Sequence, residues 1–273
     1  MAQENVIPLE ILVATMNRNS WDFLDSMFMH NDLDEHHVLV INQTTDDRQL
    51  ESPSQNIRVI NSSEIGLSKS RNLAIDNAMG SICLLADDDV VFLKDFKDSI
   101  LKAYSELTDA DLICFQTKTF KGQPFSHYPD RVSPLNGFYP KVLSIEISFK
   151  QDPVKANRLY FDENFGLGSQ FEDGENRLFL KSIVDHPVMR SYFVPEFIVQ
   201  HESVTSSDEV FSDRFIHARS ALSYKQQGIF AYFYIFRLLF SLWRKGFIRP
   251  SQLLSKFKVA QGGINAYKTM IHA

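Results

Sequence analysis

The stretch GLSKSRNLAIDNAMGSICLLADDD, residues 66–89, decides the fold. Its first half has a helical period. Leu67, Ala74, Ile75 and Ala78 make one apolar stripe, Gly66 permits a tight turn, Ser68 is the expected N-cap and Gly80 the expected C′ residue. Its second half, SICLLA, is apolar on both faces and runs straight into three aspartates. Such a strand belongs in the middle of a sheet covered on both sides. Outward from it the pattern repeats. LEILVA (9–14) ends at TMNRN, HHVLVIN (36–42) ends at QTTDD, and IRVI (57–60) leads into the quoted stretch. Helices are expected over 21–29 and 94–107, and DLICFQT (111–117) reads as a further strand. Strands spaced by helices predict an α/β fold with a mostly parallel sheet. Ligands of such sheets bind beyond the carboxyl ends of the strands. Three polar clusters fall there: Thr15-Met16-Asn17-Arg18, Asn42-Gln43-Thr44 and Asp87-Asp88-Asp89.

Residues 118–172 are irregular, mixing Pro, Gly and aromatics. FEDGEN (171–176) then opens an expected helix to about Val184, and YFVPEFIVQHES contains a strand ending at His201. The remaining residues read as helical and basic, broken at Gly246 and Pro250. The chain has 273 residues, 44% hydrophobic and 23% charged, which excludes a disordered, collagen-like or multi-span membrane protein. Its net charge of −6 hides an asymmetry. Ten Lys/Arg and no Asp or Glu lie from Arg214 onward, which leaves 18 cationic against 34 acidic residues, a net −16, before it. Cys83 and Cys114 sit in apolar runs and read as buried strand residues in a reducing compartment. MAQENVIPLE lacks the features of a secretory signal. The longest apolar run, residues 229–243, is interrupted by Arg237.

Three consecutive carboxylates repel one another and are costly unless a cation offsets them. A solvated acidic turn is the plain alternative. Their place at the end of a central-type strand argues for Mg²⁺ or Mn²⁺ bridging a diphosphate. Arg71, in the first turn of a helix and near Lys69, suits an anionic group; otherwise it is an ordinary surface arginine.

The order strand–TMNR, strand–polar loop, GLSKSRN to ADDD, an acidic G-x-G segment with ED and GE, then a late strand ending in His resembles the family 2 glycosyltransferases. The likeness is specific over residues 66–89 and weaker over 9–201. It implies a GT-A fold, a Rossmann-like, mostly parallel sheet flanked by helices with a helical C-terminal extension. It also implies a catalytic domain over 1–205, divided into a nucleotide-sugar half (1–117) and an acceptor half (118–205), followed by a basic helical region over 206–273. The implied reaction is metal-dependent inverting transfer from a nucleoside-diphosphate sugar, a UDP-sugar first among them. The implied acceptor is a saccharide or lipid-linked saccharide in bacterial surface polysaccharide or glycolipid synthesis.

Carried over residue by residue, the resemblance lines the nucleotide pocket with Thr15, Asn17 and Arg18. It gives base reading to Asn42 or Gln43, here amides, and contact with the nucleotide to Arg71 and Asp88. The DxD element maps to Asp87 and Asp89 as ligands of Mn²⁺ or Mg²⁺; a one-residue slip would hand that role to Asp88. His201 resembles the late histidine that completes the metal site. The base comes from Glu172-Asp173 or from Glu175, with Asp173 first and Glu175 as the rival. These acids also suit a helix N-terminus. Gly166 and Gly168 are expected to let the backbone approach a substrate. The implied mechanism is a single displacement without a covalent enzyme nucleophile.

The basic, aromatic-rich tail either packs on the catalytic domain or attaches to an anionic membrane surface. The expected location is the cytoplasm, with peripheral attachment at the inner face of the membrane. A nucleic-acid partner is not expected, because the acidic body would repel phosphates. Two rival functions are a sugar nucleotidyltransferase, which would carry a Gly-rich loop where TMNRNS has none, and a non-catalytic scaffold, suggested by Ala86 and Asn176 in place of commoner acids.

Overall fold

The computed structural model describes residues 7–45, 48–136, 142–202 and 210–272. The chain forms two compact units. A sheet unit comprises Met1–Asp162 and Asn176–Ser203, and a helical unit comprises Glu163–Glu175 and Val204–Ala273. The expected division at 205/206 lies outside the described residues. The segment Glu163–Glu175, inside the expected catalytic domain, groups with the C-terminal helices.

In the sheet unit, β1 (Leu9–Met16), β2 (His37–Gln43), β3 (Ile57–Ser62) and β4 (Ile82–Asp87) run parallel in the order β3-β2-β1-β4. The sheet continues through β8 (Ile147–Lys150), β6 (Leu112–Thr119), β9 (Ser191–His201) and β5 (Val91–Phe92), with β7 (Ser133–Pro134) also on β9. β6 and β9 are parallel, whereas β8 is antiparallel to both β4 and β6. The mostly parallel expectation therefore holds. Its exceptions are β8 and the two-residue strands β5 and β7, both antiparallel to β9; β7 and β8 come from the stretch read as irregular, where two and four residues are too few to show a period.

Alternate residues of the central strands enter different cores, as the two-residue repeat of a strand requires. Ile11, Val13, Leu84, Ala86, Ile113 and Phe115 face one core. That core is covered by α1 (Asp22–Met27) through Phe23 and Leu24, and by α3 (Phe96–Glu106) through Phe96 and Ile100. Leu12, Cys83, Leu85, Leu112, Cys114 and Phe149 face the other. There α2 (Leu67–Asn77), α4 (Gln151–Ala156) and α5 (Glu175–Val184) contribute Ile75, Val154 and Phe179. Cys83 and Cys114 are buried free thiols.

Two expected helix caps differ. Gly66, with φ 134°, occupies the N-cap of α2, and Ser68 is buried inside its first turn. The C-cap is Ala78 in extended backbone, and Gly80 has no positive φ. Gly80 is small for a different reason: a Cβ there would lie 2.6 Å from Glu10 Cβ and 2.7 Å from Glu10 N. That approach lets the buried Glu10 carboxylate accept from Gly80 N (3.0 Å) and Met79 N (2.6 Å) while pairing with Arg58 (2.7 Å). A buried charge is tolerable with this many donors.

The helical unit consists of α6 (Asp213–Gln227), α7 (Ala231–Arg244), α8 (Leu253–His272) and the segment Glu163–Glu175. Its core joins Ile216, Ile235, Leu239, Leu242, Ala260 and Ile264. Phe165 and Phe171 pack on Tyr267 of α8, with ring centroids 6.3 and 6.1 Å away. Gly166 and Gly168 carry positive φ (107° and 76°), so this tight loop requires glycine. No helix among the described residues is long and apolar enough to cross a membrane.

Candidate functional site

The parallel register brings the carboxyl ends of β1, β2 and β4 level: Thr15 opposes Asn42, and Ala14 opposes Asp87. The three aspartates leave this edge in different directions, each toward its own partner. Asp87 accepts from Arg71 Nη2 (2.9 Å) and Ser144 Oγ (3.3 Å). Asp88 accepts from Thr15 Oγ1 and from Arg18 through Nε and Nη2, both at 2.7 Å. Asp89 faces His201 Nε2 at 3.3 Å. Repulsion within the triplet is thus offset by side chains of the same unit.

Arg71 is buried, with its side chain 3% exposed, and is not an ordinary surface arginine. Its guanidinium also reaches Ser144 Oγ (2.7 Å) and Asn176 Oδ1 (2.9 Å), and it lies 5.4 Å from the ring centre of Phe161. Two bonds between Asn72 and the backbone of Phe161 hold that ring in place. The start of α2 is fixed by Gln43, whose Nε2 donates to Glu64 O (2.6 Å) and Gly66 O (3.0 Å). Asn42 is fully buried. Its Oδ1 accepts from Arg18 N, and its Nδ2 faces Arg18 O, Arg48 O and Asn61 Oδ1 at 3.0–3.2 Å. Both amides hold loops together, and neither presents itself to a ligand. Asn17 is exposed in left-handed backbone (φ 55°) beside Arg18.

The remaining candidates belong to the helical unit. Asp173 is mostly buried, and Arg219 Nε meets its Oδ2 while Arg219 Nη2 lies 3.5 Å from Oδ1. Burial pushes the Asp173 carboxyl up to about 6; Arg219 opposes that rise and Glu175 adds to it. Glu172 faces Arg214 at 3.8 Å. Both line a pocket of ≈ 420 Å³ together with Gln170, Asp213 and His217.

Residues 11–185 of the 273 match the family model described as glycosyl transferase family 2. The chain belongs to that family. The glycosyltransferase is similar in fold to S. aureus TarS 1–349 at a TM-score of 0.59 and 16% identity, covering 96% of this chain and 81% of that one. It is also similar to TarS 1–349 in complex with UDP-GlcNAc, at a TM-score of 0.54 and 16% identity over 80% and 66% of the two chains. At this identity the likeness speaks to the fold, and it bears out the expected GT-A architecture. No curated protein sequence matches the chain significantly.

The family implies a divalent cation, and the donor set offers a partial fit. Among the described residues no three of His, Cys, Asp and Glu converge as a metal site. Asp89 and His201 do present an oxygen and an imidazole nitrogen side by side, and the Asp89 side chain is 64% exposed. His201 Nδ1 lies 2.9 Å from Glu202 O and donates to it, which leaves Nε2 to face Asp89. A carbonyl behind the ring is the usual support for a metal-ligating histidine. Their mutual hydrogen bond holds Asp89 below the usual carboxylate range and raises His201.

Sequence reasoning missed several residues of this glycosyltransferase. Ser144 and Glu146 sit in a short 3₁₀ turn within the irregular stretch, where isolated polar residues give no signal. Glu146 is fully buried, accepts from Tyr128 Oη and from Leu143 N (2.8 Å), and is pushed by burial up to about 7. It fixes the turn that aims Ser144 at Arg71 and Asp87. The two departures from commoner acids also gain structural roles. Ala86 lies in an apolar core, and Asn176 holds Arg71.

Proposed function

We propose that this glycosyltransferase moves a sugar from a nucleoside-diphosphate donor, a UDP-sugar, to a saccharide or lipid-linked saccharide acceptor with inversion. The splayed aspartate triplet carries the reading. Asp87 and Asp88 are matched by Arg71 and Arg18, so Asp89 is the exposed carboxylate, beside His201, at the ligand-binding edge of the sheet. The UDP-GlcNAc held by the TarS neighbour supports a uridine nucleotide as donor. Asp89 and His201 would hold Mn²⁺ or Mg²⁺, which when bound offsets the charge of a leaving diphosphate. In this reading Asp87 tethers Arg71 instead of ligating metal. Thr15, Asn17 and Arg18 border the nucleotide, while Asn42 and Gln43 shape the loops around it.

Asp173 is the proposed base. A carboxyl raised to about 6 is ionised at neutral pH yet basic enough to assist proton transfer. Arg219 orients it. Asp173 takes the acceptor hydroxyl proton, the oxygen attacks the anomeric carbon opposite the diphosphate, and the carbon–diphosphate bond breaks with inversion. Glu175 is the competing acid.

The test is a thermal-shift panel of UDP-, GDP-, CMP- and dTDP-sugars with and without Mn²⁺, followed by turnover. A donor at 100 times its Kd stabilises the native state by about 2.7 kcal/mol. Asp89→Asn is expected to erase the metal-dependent part of the shift. Asp173→Asn is expected to lower kcat on the order of 100-fold or more while the donor shift persists. A panel without any shift or turnover would overturn the donor class, and normal turnover in Asp173→Asn with loss in Glu175→Gln would move the base.

A further inference from the structure

In the helical unit, α7 is apolar on two opposite sides. Ala231, Ile235, Leu239 and Leu242 are buried in the unit's core. Phe233, Phe236, Phe240 and Trp243, spaced by three or four residues along the other side, are 67, 61, 54 and 40% exposed. Ile229 and Phe230 extend this stripe at 74 and 73% exposure. With roughly 200 Å² per large side chain, the stripe presents on the order of 700 Å² of apolar surface, more than a soluble monomer ordinarily leaves bare. A helix apolar all round needs apolar surroundings on every side.

The charge around the stripe identifies those surroundings. Arg237, Arg244 and Lys245 are exposed beside it, and no acidic residue lies between Arg214 and the C-terminus. The Arg237 guanidinium lies 5.9 Å from the ring centre of Phe233, the arrangement of a cation folded over an apolar surface. A second copy meeting this face about a two-fold axis would bring like charges together around the stripe, so self-association is disfavoured. The fourteen residues of α7 span about 21 Å, short of a bilayer core of about 30 Å. We propose that α7 lies in the plane of an anionic lipid surface, its aromatic stripe in the headgroup–acyl boundary and its cations at the phosphates. This rests on the helical unit alone and is independent of the transfer reaction.

The full chain is floated with vesicles of phosphatidylcholine, with and without 50% phosphatidylglycerol. The wild type is expected to float with the anionic vesicles and to lose most of that preference in 1 M salt. The triple variant Phe233→Ser, Phe236→Ser, Phe240→Ser is expected to lower partitioning at least 10-fold. Arg237→Gln, Arg244→Gln, Lys245→Gln is expected to lower anionic partitioning about 100-fold. Circular dichroism establishes that each variant is folded; the altered side chains are exposed. Absent flotation of the wild type, or flotation unchanged in both folded variants, overturns the proposal. So does a concentration-dependent dimer that the serine variant abolishes, because a second copy would then cover the stripe.

Discussion

Replacing Glu146 by Gln tests whether the turn beneath Arg71 and Asp87 is held by a protonatable, buried carboxyl. In the folded chain this group is moved from 4.5 to about 7, chiefly by burial. The folded state therefore binds the proton more tightly than the unfolded chain. The stability this contributes is fully present below pH 4.5 and is lost as pH rises through about 7. The difference between those two values amounts to about 3 kcal/mol. Glutamine mimics the protonated form, since its oxygen accepts from Leu143 N and its amide donates to Tyr128 Oη. The assay is urea unfolding of the full chain at pH 5 and pH 8 in a Trp243→Phe background, which leaves Trp21 to report on the sheet unit. The parent is expected to lose about 2.5 kcal/mol more than Glu146→Gln between the two pH values, because part of the effect is already gone at pH 5. Parallel pH profiles for the two proteins would refute the reasoning, because the carboxyl would then be ionised in the fold at little cost.

The Arg71→Ala variant leaves Asp87 without its guanidinium and strips donors from Ser144 and Asn176. A loss of about 3 kcal/mol in the unfolding free energy, read from Trp21-monitored urea curves, is expected, and one below about 0.5 kcal/mol would mean that the ion pair is screened by water. Gly80→Ala drives a Cβ against the backbone of Glu10 and Ile82 at 2.7 and 2.9 Å, which cannot retreat as a flexible side chain would. It is expected to cost about 2–3 kcal/mol by calorimetry, and an unchanged Tm would show that β1 and β4 can separate.

The parallel half of the sheet was legible because β1, β2 and β4 are buried on both faces, while the half-buried edge strand β3 offered only a four-residue run. Six-residue apolar runs ending in polar clusters mark the strand, its place in the sheet and its ligand edge together. At the sheet edge the sequence showed only which clusters meet there: those at Thr15, Asn42 and Asp87. Nothing in GLSKSRN distinguishes an arginine aimed at a nucleotide from one clamped onto Asp87, because the clamp depends on Ser144 and Asn176, distant in sequence. The amides Asn42 and Gln43 illustrate the same limit. Their polarity signals a loop at a strand end, while their burial and internal hydrogen bonds follow from register. The caps of α2 were misread for a steric reason, since Gly80 answers the proximity of Glu10 rather than the end of a helix. β8 escaped notice because a four-residue strand between two others is defined by its neighbours.

The helical unit is assembled from two separate stretches of chain, and the earlier one, Glu163–Glu175, is threaded into the sequence between parts of the sheet unit. Asp173 therefore takes its arginine partner from α6, well downstream. A protein cut after the last sheet strand would keep every aspartate of the triplet yet lose the clamp on its proposed proton acceptor. For this enzyme the C-terminal helices are no detachable accessory: exchanging them between relatives would mean regrafting a loop from the interior of the gene along with its tail.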